Sequence, residues 1–179
     1  MLELMIAGGE FYDESLEMFI EVKPTVLRLE HSLVSVSKWE AIWKEPFLSR
    51  KDKSERQTID YLKCMTVGQN VDPMVYKCIT PKQMKMIKEY ISDEKTATTF
   101  NERGARPNRQ VITSELIYFW MAQYNIPFEC QKWHLSRLLT LIRIASIKNA
   151  PDEKMSKRAI MSQNRTLNEA RRKALRTKG

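Results

Sequence analysis

Asp13 and Glu21-Val22-Lys23 loosely follow the D…ExK pattern, in which carboxylates hold a divalent metal and a lysine steadies the attacking water or phosphate. Such a trio is common, and Asp13 is expected in a turn, so the pattern does not define a nuclease without supporting geometry. The two histidines, His31 and His134, sit in no HExxH or other catalytic spacing, and His134 beside Trp133 reads as a buried hydrogen-bonding residue. Cys130 and His134 are four apart and could share a helix face, but two ligands fall short of a four-coordinate zinc site. Cys64, Cys78 and Cys130 form no CxxC pair and are expected as reduced, buried thiols. GxxxxGK[ST] and GxGxxG are absent. The expectation is a non-enzymatic protein with no cofactor and no metal.

Binding is the chemistry that remains. Trp39, Ile42 and Trp43 recur on one side of a short helical segment and could form an apolar wall for a partner helix, against the alternative that the tryptophans pack in the core. The second candidate is electrostatic. Of the net charge of +8, residues 151–179 hold +6, from nine bases and three acids, so the body is nearly neutral and the tail strongly basic. Its candidate contacts are Lys157, Arg158, Arg165, Arg171, Arg172, Lys173 and Arg176. Arg158, Arg165 and Arg172 recur every seven residues, with Ile160, Leu167 and Ala174 two positions later, which describes a basic amphipathic helix with a thin apolar stripe. It could meet phosphates or an acidic protein; the stripe is weak for a membrane.

The elements that must position these residues are punctuated by seven prolines. Leu2, Leu4 and Ile6 alternate with Glu3 and Met5, Gly8-Gly9 offers a turn, and residues 18–22 offer a return strand, which predicts an N-terminal β-hairpin. Residues 25–36 continue the alternation as a third strand or crossing segment. Ser37 and Glu40 form an S-x-x-E box that predicts a short helix ending before Pro46. Residues 49–56 read as a charged connector. Helical spacing of Ile59, Leu62, Cys64 and Met65 follows, then caps at Asp72-Pro73 and Thr80-Pro81, the latter completed by Gln83. Residues 96–109 read as a mobile loop.

Residues 112–147 are the densest apolar run, divided by Pro127 into a helix capped by Thr113 and a second helix from about residue 132 to 148. Both are apolar on more than one face, which predicts a central helical hairpin; Arg137 and Arg143 then need carboxylates, with Glu115 and Glu129 as candidates, or a route to solvent. The expected fold is mainly α (α+β): residues 1–150 a helical domain with a small N-terminal β-hairpin, residues 151–179 a basic C-terminal helix. Charged residues and Pro127 interrupt the run well short of a membrane span, and the acidic N-terminus lacks a secretory n-region, so an intracellular protein is expected.

With these residues laid out, the chain resembles the tail assembly chaperones of long-tailed phages. The resemblance rests on LEHSLVSVSKWEAIWKEPFLS at 29–49, IDYLKCMTVGQNVDP at 59–73, ITSELIYFWMAQYNIPFECQKWHLSRLLTLIRI at 112–144 and KMSKRAIMSQNRTLNEARRKALRTKG at 154–179. Ser136 stands where the family phrase WHLNRLL has asparagine. The resemblance implies transient binding to the tape measure protein and tail tube subunits in the host cytoplasm during infection. The alternatives are a structural virion component of the tail or connector and a nucleic-acid-binding phage protein that uses the basic helix.

Overall fold

The computed structural model describes residues 1–13, 17–49, 52–68, 70–100, 110–149 and 157–175. The fold is mainly α with a small N-terminal β element. Of the loop expected at 96–109, residues 101–109 lie outside the described residues.

The β element differs from the expected hairpin in where it turns. Strands β1 (Leu2–Ile6) and β4 (Thr25–Leu29) pair antiparallel, as do β2 (Gly9–Asp13) and β3 (Met18–Val22). The register runs unslipped from Leu2↔Leu29 through Ile6↔Thr25 and Gly9↔Val22 to Asp13↔Met18, so the four strands form one long two-stranded arm. Gly8-Gly9 is the point where that arm is interrupted, not where the chain reverses. Gly8 has φ +80°, and a Cβ there would lie 2.1 Å from the Val22 carbonyl oxygen. Pro24 on the facing strand has no N–H to continue the ladder. Asp13 is accordingly the last residue of β2 rather than part of a turn.

Pleating gives β1 and β4 one buried face, Leu4, Ile6, Leu27 and Leu29, and one polar face on which Glu3 and Arg28 pair at 3.2 Å. The residues expected to extend this strand run to 36 begin helix α1 (Leu33–Trp43) instead. Ser32 is its N-cap: its hydroxyl accepts from the Ser35 N–H while the Ser35 hydroxyl accepts from the Ser32 N–H. The expected start at Ser37 is therefore about one turn late. Leu33, Val36, Trp39 and Glu40 then fall on one buried face, and that packing outweighs the β preference of Val34 and Val36. Lys44 ends the helix in the left-handed conformation, φ +55°, its N–H donating to the Glu40 carbonyl at 2.8 Å.

Helix α2 (Glu55–Met65) starts at a Ser54/Gln57 capping box and packs on α1 and β4. A 3-10 segment, Pro73–Cys78, begins at Asp72, and helix α3 (Pro81–Ser92) begins at the expected Thr80/Gln83 box and buries Ile87 and Tyr90 while Lys82, Lys85 and Lys88 face solvent. Helix α4 (Ser114–Gln123), the 3-10 segment Phe128–Lys132 and helix α5 (Leu135–Asn149) complete the helices of the body. Its centre is α1, which packs against α2, α4 and the second 3-10 segment. Helix α4 is not surrounded as the expected central hairpin would be: Ile117 and Met121 are buried while Phe119 is exposed.

The chain divides into two compact units, Met1–Ala145 and Ser146–Gly179. Within the second, helix α6 (Lys157–Leu175) is the expected basic helix. No helix among the described residues is long and apolar enough to cross a membrane.

The break in the arm makes a prediction. Gly8→Ala adds a backbone clash to left-handed strain and should cost about 2 kcal/mol or more of unfolding free energy, whereas Gly68→Ala should cost only about 1 kcal/mol of strain. At Gly68 φ is +64° but nothing lies within 4 Å of an added Cβ. Urea titrations of both variants check the difference.

Candidate functional site

The titratable groups that could do chemistry converge where β4 hands over to α1. The His31 Nδ1 lies 2.5 Å from the Tyr61 hydroxyl, and the His31 and His134 rings meet edge to face with centroids 5.1 Å apart. The Leu135 N–H donates to the His31 carbonyl at 2.8 Å, and Ser32 and His134 form an isolated β-bridge. The His134 Nε2 is 3.1 Å from the Tyr90 carbonyl, so it carries the proton and its Nδ1 accepts from the Ser136 hydroxyl, 2.8 Å away. The Tyr90 hydroxyl donates to Glu30 Oε1 at 2.7 Å.

The electrostatics keep the imidazoles and phenols of this cluster neutral. Burial, reinforced by the neighbouring His134, lowers the His31 pKa to about 4. Burial also lowers the His134 pKa and raises those of Tyr61 and Tyr90. His134 and Ser136 have the atoms of a base and a nucleophile, but a backbone carbonyl stands where a triad has a carboxylate. A carbonyl fixes the tautomer but, lacking a full charge, stabilises an imidazolium less than a carboxylate would, and burial outweighs it here. The arrangement therefore suits holding β4, α2, α3 and α5 together, in keeping with the buried hydrogen-bonding role expected of His134.

A second buried polar group has the same character. The Glu40 carboxylate accepts from the Phe47 N–H with Oε1 and from the Ser114 N–H with Oε2, both at 2.7 Å. It thus caps the start of α4 and closes the turn after α1. Sequence reading placed Glu40 in a capping box of its own helix; its partners are 7 and 74 positions away, which no local pattern encodes.

The residues expected to bind partners are separated by the fold. Trp39 is 1 % exposed, donates Nε1–H to the Gln57 carbonyl at 2.9 Å and meets Phe47 edge-on, so it is a core residue and cannot line a groove. Trp43 stacks on it at 6.2 Å between centroids and is half-buried, with the Arg56 guanidinium over its ring. Of the trio only Ile42 projects to solvent. In α6, Arg165, Arg171, Arg172 and Lys173 are exposed. Lys157 and Arg158 open the helix, and Arg176 lies outside the described residues.

Arg137 and Arg143 reach the surface and lie over the Trp133 and Phe100 rings, at 4.5 and 4.1 Å. Both thus take the route to solvent that was the alternative to a carboxylate from Glu115 or Glu129, and the ring contacts add to it. Glu115 is exposed in the first turn of α4, where its own backbone N–H and the Thr113 hydroxyl hold its carboxyl below the usual range.

Sequence reading did not single out the exposed aromatics of the helical part of the body. Phe119 on α4 is 60 % exposed, and Phe128 and Trp133, at the two ends of the second 3-10 segment, are 53 % and 36 % exposed. Phe128 packs beside Tyr118, whose hydroxyl donates to Gln131. Within so apolar a run every aromatic looks like core; the available signal was that 112–147 holds more apolar residues than two one-faced helices can bury. The three cysteines are free, and among the described residues no group of three or more His, Cys, Asp or Glu could hold a metal. No protein-family model, curated protein or solved structure matches the chain.

Two measurements check these assignments. Glu40→Gln places an amide N–H against a backbone N–H and should cost about 2–3 kcal/mol in urea unfolding. His31 is depressed in the folded state, so between its unfolded value of 6.5 and about 4 the unfolded chain binds the extra proton. Stability should therefore fall by about 3 kcal/mol as pH drops through that window. His31→Asn should flatten that slope.

Proposed function

We propose that this chain is a non-enzymatic tail assembly chaperone that acts in the host cytoplasm, binding the tape measure protein and tail tube subunits during tail morphogenesis. The sequence phrases that run through most of the chain support the family; the observation that carries the binding mode is the exposed aromatic set Phe119, Phe128 and Trp133. A tape measure protein is long, helical and apolar, and would aggregate before the tube encloses it. Aromatic side chains presented by α4 and a 3-10 segment, with Arg137 lying over Trp133, offer such a helix an apolar contact with a polar rim. Release as the tube closes requires moderate affinity.

Nucleic-acid binding is the second reading, favoured by the exposed Arg165, Arg171, Arg172 and Lys173 of α6. Its mark would be steeply salt-dependent DNA binding that is lost on truncation after Ala150.

Co-expression with the tape measure protein of the same genome tests the first reading. The tape measure protein should be recovered soluble and in complex, and insoluble without this chain. Phe119→Ser with Phe128→Ser should weaken the complex about tenfold or more. A tape measure protein that behaves identically with and without the chain would contradict the proposal.

A further inference from the structure

The two extremities of the chain have opposite charge and matching chemistry. Residues 7–22 hold five acids, Glu10, Asp13, Glu14, Glu17 and Glu21, and no base. Helix α6 holds six bases and one acid, Glu169.

The β2–β3 part of the arm is a surface without a covering layer. Among the described residues its strands pair only with each other, and a two-stranded ribbon is marginal alone. Register places Glu10 opposite Glu21 and Tyr12 opposite Phe19, all four on one face and all exposed. The Tyr12 and Phe19 rings lie 5.2 Å apart, with exposures of 54 % and 69 %. Like charges directly across a ladder repel, so Glu10 and Glu21 destabilise the free arm unless a cation joins them.

Helix α6 has the complementary face. Met161, Arg165, Arg172 and Leu175 fall within an arc of about 80°, with the two arginines about 10.5 Å apart along the axis. Met161 and Leu175 are each 72 % exposed. The Arg165 Nε bonds Glu169 Oε1 at 3.1 Å, but exposed pairs of this kind exchange at little cost. A guanidinium both forks onto carboxylates and stacks on aromatic rings, and the arm offers the two together.

We propose that the β2–β3 arm of one copy docks on α6 of a second copy. The inference stands apart from the tail-assembly reading. A nucleic acid would satisfy α6 but be repelled by the acidic arm. A second copy satisfies both extremities in fixed proportion, and two copies engaging each other twice close a symmetric dimer.

Charge reversal in the full chain tests this by sedimentation velocity across a concentration series. Wild type should dimerise, more weakly in about 0.5 M NaCl. Arg165→Glu with Arg172→Glu, and separately Glu10→Arg with Glu21→Arg, should each weaken dimerisation about tenfold or more. Mixed in equal amounts, the two variants should pair with each other, since each then carries what the other lacks. Tyr12→Ser with Phe19→Ser, which changes no charge, should also weaken the dimer. The proposal is overturned by a wild type that stays monomeric, by a dimer that neither reversal weakens, or by a mixture that fails to pair. DNA binding by α6 in a chain that does not self-associate overturns it equally.

Discussion

The handover from β4 to α1 is the constraint on which the other elements depend. Within a few residues the chain must end a strand, cap a helix and satisfy two imidazoles away from water. Residues 28–35 do this by drawing on distant segments: Glu30 N–H donates to the Met65 carbonyl, Val67 N–H to Arg28 and Leu135 N–H to His31. The junction thereby fixes the end of α2 and the start of α5 at once. A neutral histidine pair suits the position because each ring offers one donor and one acceptor, so hydroxyls and carbonyls can satisfy it without importing charge. Glu40 repeats the strategy one helix away, with a carboxylate whose two oxygens meet two backbone donors.

A division between interior and exterior follows. His31, His134 and Glu40 are committed to backbone and hydroxyl partners and buried Tyr90 to the Glu30 carboxylate, and so they serve as joints of the fold. The groups free to meet another molecule are at the surface: aromatics on α4 and the adjoining 3-10 segment, acids and aromatics on the arm, arginines on α6. Such a distribution suits a protein that acts by contact, since partners can come and go without disturbing the joints.

Much of the fold was legible because it is encoded locally. Thr80-Pro81 with Gln83 and Thr113 before an apolar run start helices where capping chemistry requires, and the alternation of Leu2, Leu4 and Ile6 marks a half-buried strand. What was not legible depends on partners far along the chain. Gly8-Gly9 resembles a turn until Pro24 lies opposite it, and Val34 and Val36 favour a strand until Ser32 caps a helix whose buried face includes Val36. The site was less legible still. Trp39 is core because the Gln57 carbonyl takes its N–H, whereas Phe119 has no sequence mark to set it apart from its buried neighbours.

Hydrogen–deuterium exchange of the chain, alone and with the tape measure protein, tests the separation of a structural interior from a binding exterior most directly. The account predicts slowed exchange in α4 and residues 128–133 on complex formation, with amides of residues 28–35 equally protected in both states. Protection gained at residues 28–35, with α4 unchanged, would contradict it and make the histidine junction the place where the partner acts.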